Sequence, residues 1–250
     1  MKIGIIGFGH LGQSLVKGLL FNNFTTRENI FITAKSFETK NKAKNDYKIN
    51  VCETNAQLIE KTDLIFISIP SKVFFNEPMD LYSDNFAYKT FVSFMAGVTI
   101  EKLKETIGDI NIIRAMPNLG IENCNGIICY TNTENSYLKD LFNHLGYAFT
   151  VEEVDIEKVT AFASCGIGFA AYVLNGFFEA GKQIGFNNDL SAEIVSNIFS
   201  NALAASDYSA LVSAVATKGG ATEAGLDCFV ENKMNDIIYK AVEKAYQKMK

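Results

Sequence analysis

Apolar positions along this chain fall first into short blocks and later into long ones. Lys2-Ile3-Gly4-Ile5-Ile6 is an apolar run of strand length, Asn29-Ile30-Phe31-Ile32-Thr33-Ala34 a second, and Ile49 to Cys52 a short third. Asp63 to Pro70 is near-continuously apolar, the pattern of a parallel strand buried on both faces, and Pro70 is expected to stop it. Phe91-Val92-Ser93-Phe94 and Ile110 to Arg114 add two more strands. Gln13 to Leu20, Gln57 to Lys61 and Ile100 to Thr106 read as intervening helices, and lysine-rich Lys40 to Lys48 as an exposed helix and loop. This alternation predicts βαβ units in a doubly wound α/β sheet. From about Ile156 the pattern lengthens. Glu157 to Ile184, Leu190 to Ala205 and Asn232 to Met249 read as helices, so residues 1–154 are expected to form the sheet domain and 155–250 an all-helical one.

The first strand runs straight into Gly7-Phe8-Gly9-His10-Leu11-Gly12, followed by a helix. That G-x-G-x-x-G spacing, in that setting, is a dinucleotide-binding turn and makes the sheet Rossmann-type. Gly7 permits the tight bend, Gly9 lets a pyrophosphate approach the backbone, and Gly12 allows close helix–strand packing. At the end of the second strand an acid would accept from the 2′-hydroxyl of NAD, but here the turn is Ala34-Lys35-Ser36. A cation and a hydroxyl suit a 2′-phosphate, so NADP(H) is expected, with NAD(H) less favoured. Pro70-Ser71-Lys72, Ala96-Gly97-Val98-Thr99 and Ala115-Met116-Pro117-Asn118 all follow strands at the sheet's carboxyl edge, where they are expected to line a nicotinamide pocket.

In the helical half, Ala161, Gly166, Gly168, Ala170, Gly176 and Gly181 interrupt larger apolar residues, a spacing that suits close helix packing and a subunit interface. A membrane span is not expected there, because Glu179 and Lys182 sit near the end and two serine- and glycine-containing turns are expected to interrupt it, and no apolar stretch of the chain is expected to approach the length of a span. So much apolar helix surface predicts a homodimer, with a higher assembly of dimers open. Ala216-Thr217-Lys218-Gly219-Gly220-Ala221-Thr222-Glu223 lies between helices. Paired glycines before a helix offer N–H groups to a carboxylate, and Thr222 could donate to a substrate heteroatom or cap a helix beginning near Glu223.

Composition narrows the classes. The 250 residues, 48% hydrophobic, can bury a substantial core, and the net charge of −5 gives no reason to expect nucleic acid. The N-terminus is expected to be a strand rather than a leader peptide. The five cysteines are odd in number and lack C-x-x-C spacing, so reduced thiols and a cytoplasmic location are expected. With only His10 and His144, metal and histidine-triad chemistries start low.

Gly7 to Gly12, Val92 to Ile100, Arg114-Ala115-Met116-Pro117-Asn118, Gly126, Val159-Thr160-Ala161 with Gly166, and Gly219-Gly220-Ala221-Thr222 with Ala224-Gly225-Leu226 together resemble pyrroline-5-carboxylate reductases over nearly the whole chain. The resemblance implies reduction of (S)-1-pyrroline-5-carboxylate to L-proline, the last step of proline biosynthesis. It implies a cofactor held by Gly7, Phe8, Gly9, His10, Leu11, Gly12, Ala34, Lys35, Ser36, Asn55, Ile69, Pro70, Ala96, Gly97, Pro117 and Asn118. It also implies a substrate carboxylate on Gly219, Gly220 and Ala221, with Thr222 and Thr217 as catalytic hydroxyls and the site completed at a dimer interface. The chain departs from the family where Ile69-Pro70-Ser71 replaces valine-lysine-proline, where Lys218 replaces a proline, at Ser164 to Gly168, and in a shorter segment between Ala202 and Val215. Reduction of another imine or a small keto acid, and NADP binding without catalysis, therefore stay open.

Overall fold

The structure is a computed structural model and describes residues 1–77, 81 and 88–250. The chain divides into two compact units, Met1–Cys165 with Tyr246–Lys250, and Gly166–Ala245.

The first unit is built on one sheet. Among the described residues its strands are β1 (Ile3–Ile6), β2 (Ile30–Thr33), β3 (Asn50–Val51), β4 (Leu64–Ile67), β5 (Thr90–Ser93), β6 (Asn111–Pro117), β7 (Gly126–Tyr130) and β8 (Gly146–Thr150). They lie in the order β3-β2-β1-β4-β5-β6-β7-β8, parallel except where β6 meets β7. The order reverses direction between β1 and β4, and such a switch point opens a crevice at the carboxyl edge. The helices are α1 (His10–Leu20), α2 (Phe37–Lys42), α3 (Asn55–Lys61), α4 (Ser71–Asn76), α5 (Ile100–Ile107), α6 (Ser136–Leu145) and α7 (Ile156–Val159).

The continuous apolar run of β4 follows from burial on both faces. Leu64 and Phe66 join one apolar layer with Leu15, Leu19 and Leu141, while Ile65 and Ile67 join the other with Leu58 and Leu103. Successive side chains of a strand point to opposite faces, so every position of β4 must be apolar.

β6 runs on to Pro117, so Ala115-Met116-Pro117 is strand and not a turn. β7 and β8, not anticipated from the sequence, extend the sheet: β7 turns back antiparallel with Met116 opposite Cys129, and β8 closes the edge. Pro117 is tolerated because it ends the strand, where a missing N–H costs little. β8 shows no alternation of buried and exposed positions, which is why pattern reading passes over it.

The second unit comprises most of α8 (Cys165–Gln183), with α9 (Asn188–Leu203), α10 (Tyr208–Val215), α11 (Ala221–Glu231) and most of α12 (Met234–Met249). The expected interruptions of the long apolar stretch are corrected: helix runs from Glu153 to Gln183, with a π-helical segment at Thr160–Ser164. Corrected too is the expectation that no stretch approaches membrane-span length. Glu153–Gln183 has the length and, at a mean hydropathy of 1.5, the composition, with 6% of that apolar window buried.

Among the described residues of α8 to α12 only Ser191 is buried. Tyr172, Phe177, Phe229 and Ile237 line an open apolar groove of about 550 Å³. Covering a large apolar side chain contributes roughly 1.5–3 kcal/mol, so this unit has little stability until something covers it. A second copy is expected to do so. Its melting midpoint should therefore rise with protein concentration, as for any fold linked to association. A concentration-independent midpoint, with a monomer in light scattering, would count against it.

Candidate functional site

The glycine turn stands at the switch point. Gly7 has φ +97°, strained for any other residue, and a Cβ there would overlap the Ile69 side chain. Its N–H donates to the Thr33 carbonyl at 3.1 Å, joining the turn to the end of β2. A Cβ on Gly12 would overlap the Gly7 carbonyl oxygen, so α1 can seat on the turn only without a side chain there. Gly9 is the N-cap, with nothing within 4 Å of a Cβ built on it. No side chain caps α1 and no acid stands in its first turn, leaving its leading N–H groups to an external anion. The Phe8 ring is buried edge-on against Tyr47 at 5.1 Å, so only its backbone faces a ligand; His10 is exposed and Leu11 half-buried.

Gly7, Ala34, Lys35, Asn55 and Ile69 line one cavity of about 320 Å³ together with Glu77. Thr33 Oγ1 donates to Asn55 Oδ1 at 2.6 Å. Lys35 Nζ reaches Glu77 Oε1 at 2.8 Å, yet the lysine is 83% exposed, so the pair contributes at most about 1 kcal/mol and its ammonium can be recruited by a ligand. The Ser36 hydroxyl caps α2, accepting from the Thr39 N–H at 3.1 Å and donating to Thr39 Oγ1 at 2.7 Å. Pro70 is the N-cap of α4. Glu77 was not foreseen from the sequence because it arrives from beyond α4 rather than from the turn after β2. An open glycine and uncapped N–H groups at the turn, with a movable cation in the cavity that Gly7 shares, fit a phosphorylated dinucleotide.

Ala96, Gly97, Pro117 and Asn118 do not line that cavity. Gly97 belongs to a second one, of about 570 Å³, with Thr99, Arg114, Glu153, Glu157 and Tyr246. Arg114, on β6, is 1% exposed. Its Nη2 makes a short ion pair with Glu157 Oε1, and its Nη1 lies 3.4 Å from Glu153 Oε1. The same Glu157 oxygen accepts the Gly97 N–H at 3.1 Å, and the same Glu153 oxygen the Ile100 N–H at 2.7 Å. Nearby Cys129 is fully buried, and burial pushes its thiol up to about 11. Asn118 is 7% exposed; its carboxamide oxygen accepts the N–H groups of Gly120 and Ile127, each at 3.1 Å. The Pro117 carbonyl accepts the Ser164 hydroxyl at 3.4 Å.

In the helical unit, Gly219 takes φ +75° and Gly220 is the N-cap of α11 without a side-chain cap. Thr222 therefore stands inside the helix, which corrects its alternative reading as a cap. The Gly220 N–H donates to the Thr217 carbonyl at 2.9 Å. The Gly219 N–H donates to Glu223 Oε2 at 2.6 Å, so this turn already holds a carboxylate, its own. Thr217, Ala221 and Thr222 are exposed.

Residues 153–250 match the family described as pyrroline-5-carboxylate reductase dimerisation, and residues 2–97 match NADP oxidoreductase, coenzyme F420-dependent. The chain is 26% identical to a pyrroline-5-carboxylate reductase of Aquifex aeolicus, over 100% of this chain and 97% of that one. A crystal structure of Plasmodium falciparum pyrroline carboxylate reductase with NADP bound superposes with a TM-score of 0.88 at 24% identity, covering 100% of this chain and 97% of that one. The enzyme of Streptococcus pyogenes gives the same TM-score at 23% identity, covering 100% and 98%.

The Asn118 geometry separates a structural role from a ligand-binding one. Asn118→Ala leaves two N–H groups without their acceptor, each worth about 1–3 kcal/mol when buried. Urea denaturation should show a loss of that order. A variant of undiminished stability but changed ligand affinity would instead put the carboxamide on a ligand.

Proposed function

We infer that this chain is a member of the pyrroline-5-carboxylate reductase family and reduces (S)-1-pyrroline-5-carboxylate to L-proline, the last step of proline biosynthesis. The observation that carries the reading is the full-length likeness to the Aquifex aeolicus reductase, which takes in the glycine turn and the helical half together. The bound cofactor supplies a hydride to the imine carbon. The chain's own residues must bind, orient and manage one proton, since the imine nitrogen ends as an amine. Orientation alone can lower a barrier by roughly 7–11 kcal/mol, so few titratable groups are needed.

The cofactor is assigned to Gly7 through Gly12 for the pyrophosphate, and to Ala34, Lys35 and Asn55 for the adenosine ribose. NADPH is the preferred form. The exposed Lys35 ammonium, held by the half-buried Glu77, can turn to a 2′-phosphate with little loss. Ala96, Gly97, Pro117 and Asn118 are assigned to the nicotinamide side, with Asn118 acting through the backbone it shapes. The substrate carboxylate is assigned to the N–H groups of Gly219, Gly220 and Ala221, where it replaces Glu223. Gly220 brings no capping side chain, so the first N–H groups of α11 have room for that anion. Thr222 donates to the ring nitrogen, and Thr217 supplies a second hydroxyl. A homodimer in the cytoplasm, with its five free thiols reduced, completes the proposal.

Steady-state NADPH oxidation with pyrroline-5-carboxylate tests the activity directly. Turnover only with other imines or keto acids would change the substrate, and tight NADP(H) binding without turnover would remove catalysis. NADPH should give the higher kcat/KM, and Lys35→Ala should raise the KM for NADPH far more than that for NADH. Equal efficiency with both cofactors in the unaltered protein would overturn the preference.

Thr222 gives the sharper test. It does not cap α11, so Thr222→Ala should leave stability within about 0.5 kcal/mol, the scale of helix propensity alone. It should lower kcat by roughly tenfold to a hundredfold, the range of one hydrogen bond lost in the transition state, while Thr222→Ser keeps most activity. Normal kcat in the alanine variant would remove Thr222 from the chemistry.

A further inference from the structure

The carboxyl end of β5 leads into residues 97–100, and this loop has no regular strand partner to hold it. Its two ends are instead held by two glutamates from the segment that begins the long helix. Glu157 Oε1 accepts the Gly97 N–H at 3.1 Å, and Glu153 Oε1 accepts the Ile100 N–H at 2.7 Å. Both oxygens also meet the Arg114 guanidinium, which is 1% exposed and whose Nε finds no acceptor among the described residues. One buried cation thus fixes two carboxylates, and each carboxylate fixes one end of the loop. From another side, a Cβ on Gly97 would come 2.7 Å from the Met249 carbonyl, so the loop has little room to retreat.

We propose that Glu157 and Glu153, anchored by Arg114, are positioning residues for hydride transfer: they set the height of the Ala96-Gly97 backbone against the nicotinamide. The inference rests on the assignment of Ala96-Gly97 to the nicotinamide side. Ligands of open α/β sheets lie beyond the carboxyl ends of the strands, and β5 delivers this loop there. A carboxylate is suited to the task because it can accept from a guanidinium and from a backbone N–H at once. A glutamine can keep the second contact but not the charge. The adenosine end of the cofactor is assigned to other residues, Ala34, Lys35 and Asn55, which line a separate cavity. Disturbing the clamp should therefore move one end of the cofactor site and leave the other alone.

The test uses Glu157→Ala, Glu157→Gln and Glu153→Gln with two probes. Adenosine 2′,5′-bisphosphate reports the adenosine end only, and NADPH, titrated by its fluorescence, reports both ends. The bisphosphate affinity should stay within about twofold in every variant. The NADPH affinity relative to it should fall, and kcat should drop on the order of tenfold to a hundredfold in Glu157→Ala, as for a reacting group misplaced by about 1 Å. Glu157→Gln should recover part of that loss. If the alanine variant does not fold, the two glutamine variants decide by the same ratio. An unchanged ratio with unchanged kcat would overturn the proposal, and so would loss of bisphosphate affinity in step with NADPH, which marks general destabilisation. If the unaltered protein binds NADPH but does not turn over pyrroline-5-carboxylate, the functional reading fails while the affinity ratio still decides the clamp.

Discussion

A guanidinium enclosed between two carboxylates is the constraint on which the first unit depends. Arg114 sits mid-strand in β6, where an arginine is costly unless its charge is answered inside the protein. The answer comes from Glu153 and Glu157, far along the chain, so strand, loop and helix start are committed to one arrangement together. Such a cluster contributes less to net stability than its short distances suggest, because desolvation offsets attraction. Removing one member is another matter, costing about 3–5 kcal/mol by leaving a charge uncompensated. What the cluster does is tie β6, the Gly97 loop and the start of the long helix together at the carboxyl edge of the sheet.

The cofactor half was legible in the sequence wherever one short stretch carried its own reason. β1, the glycine turn and α1 follow from residues 2–20 alone, and β4 from an apolar run with no polar gap. Legibility ended where the cause was distant. β8 is a half-exposed edge strand without alternation, and β7 reverses direction after a turn that no glycine–proline pair announces. Glu77 reaches the cavity beside Lys35 from beyond α4. Neither it nor the Arg114 cluster leaves any signal near the residues it serves. Asn118, read as an amide for a ligand, has its oxygen occupied by two backbone N–H groups of its own turn. The helix start at Ala221 rather than Glu223 moved Thr222 from cap to helix body, since a bare glycine filled the capping place.

The two halves hold their shape by different means. In the sheet unit, Ile5, Leu15, Phe66 and Leu141 are fully enclosed by their own chain. In the helical unit the apolar residues instead stay in contact with solvent. Glu153–Gln183 passes by length and hydropathy as a bilayer span, yet its residues 153–183 fall inside the match to a dimerisation family. An apolar helix waiting for a like helix and one waiting for lipid share a composition, so composition cannot tell them apart; the family match can.

The final turn of α12 belongs to the first unit, although all of Gly166–Ala245 lies between it and Cys165. In a chain made from its N-terminus, the sheet is complete by Thr150, but the Met249 carbonyl that backs the Gly97 loop is added only after the whole of Gly166–Ala245. The sheet thus leaves the ribosome with the Gly97 loop still unbacked while the helical segment emerges. Domains generally fold as units during synthesis, N-terminal first, whereas the first unit here draws its Tyr246–Lys250 segment from beyond the second. Vectorial synthesis therefore forms the glycine turn before the Gly97 loop is backed, because the whole of Gly166–Ala245 is made between that loop and Met249.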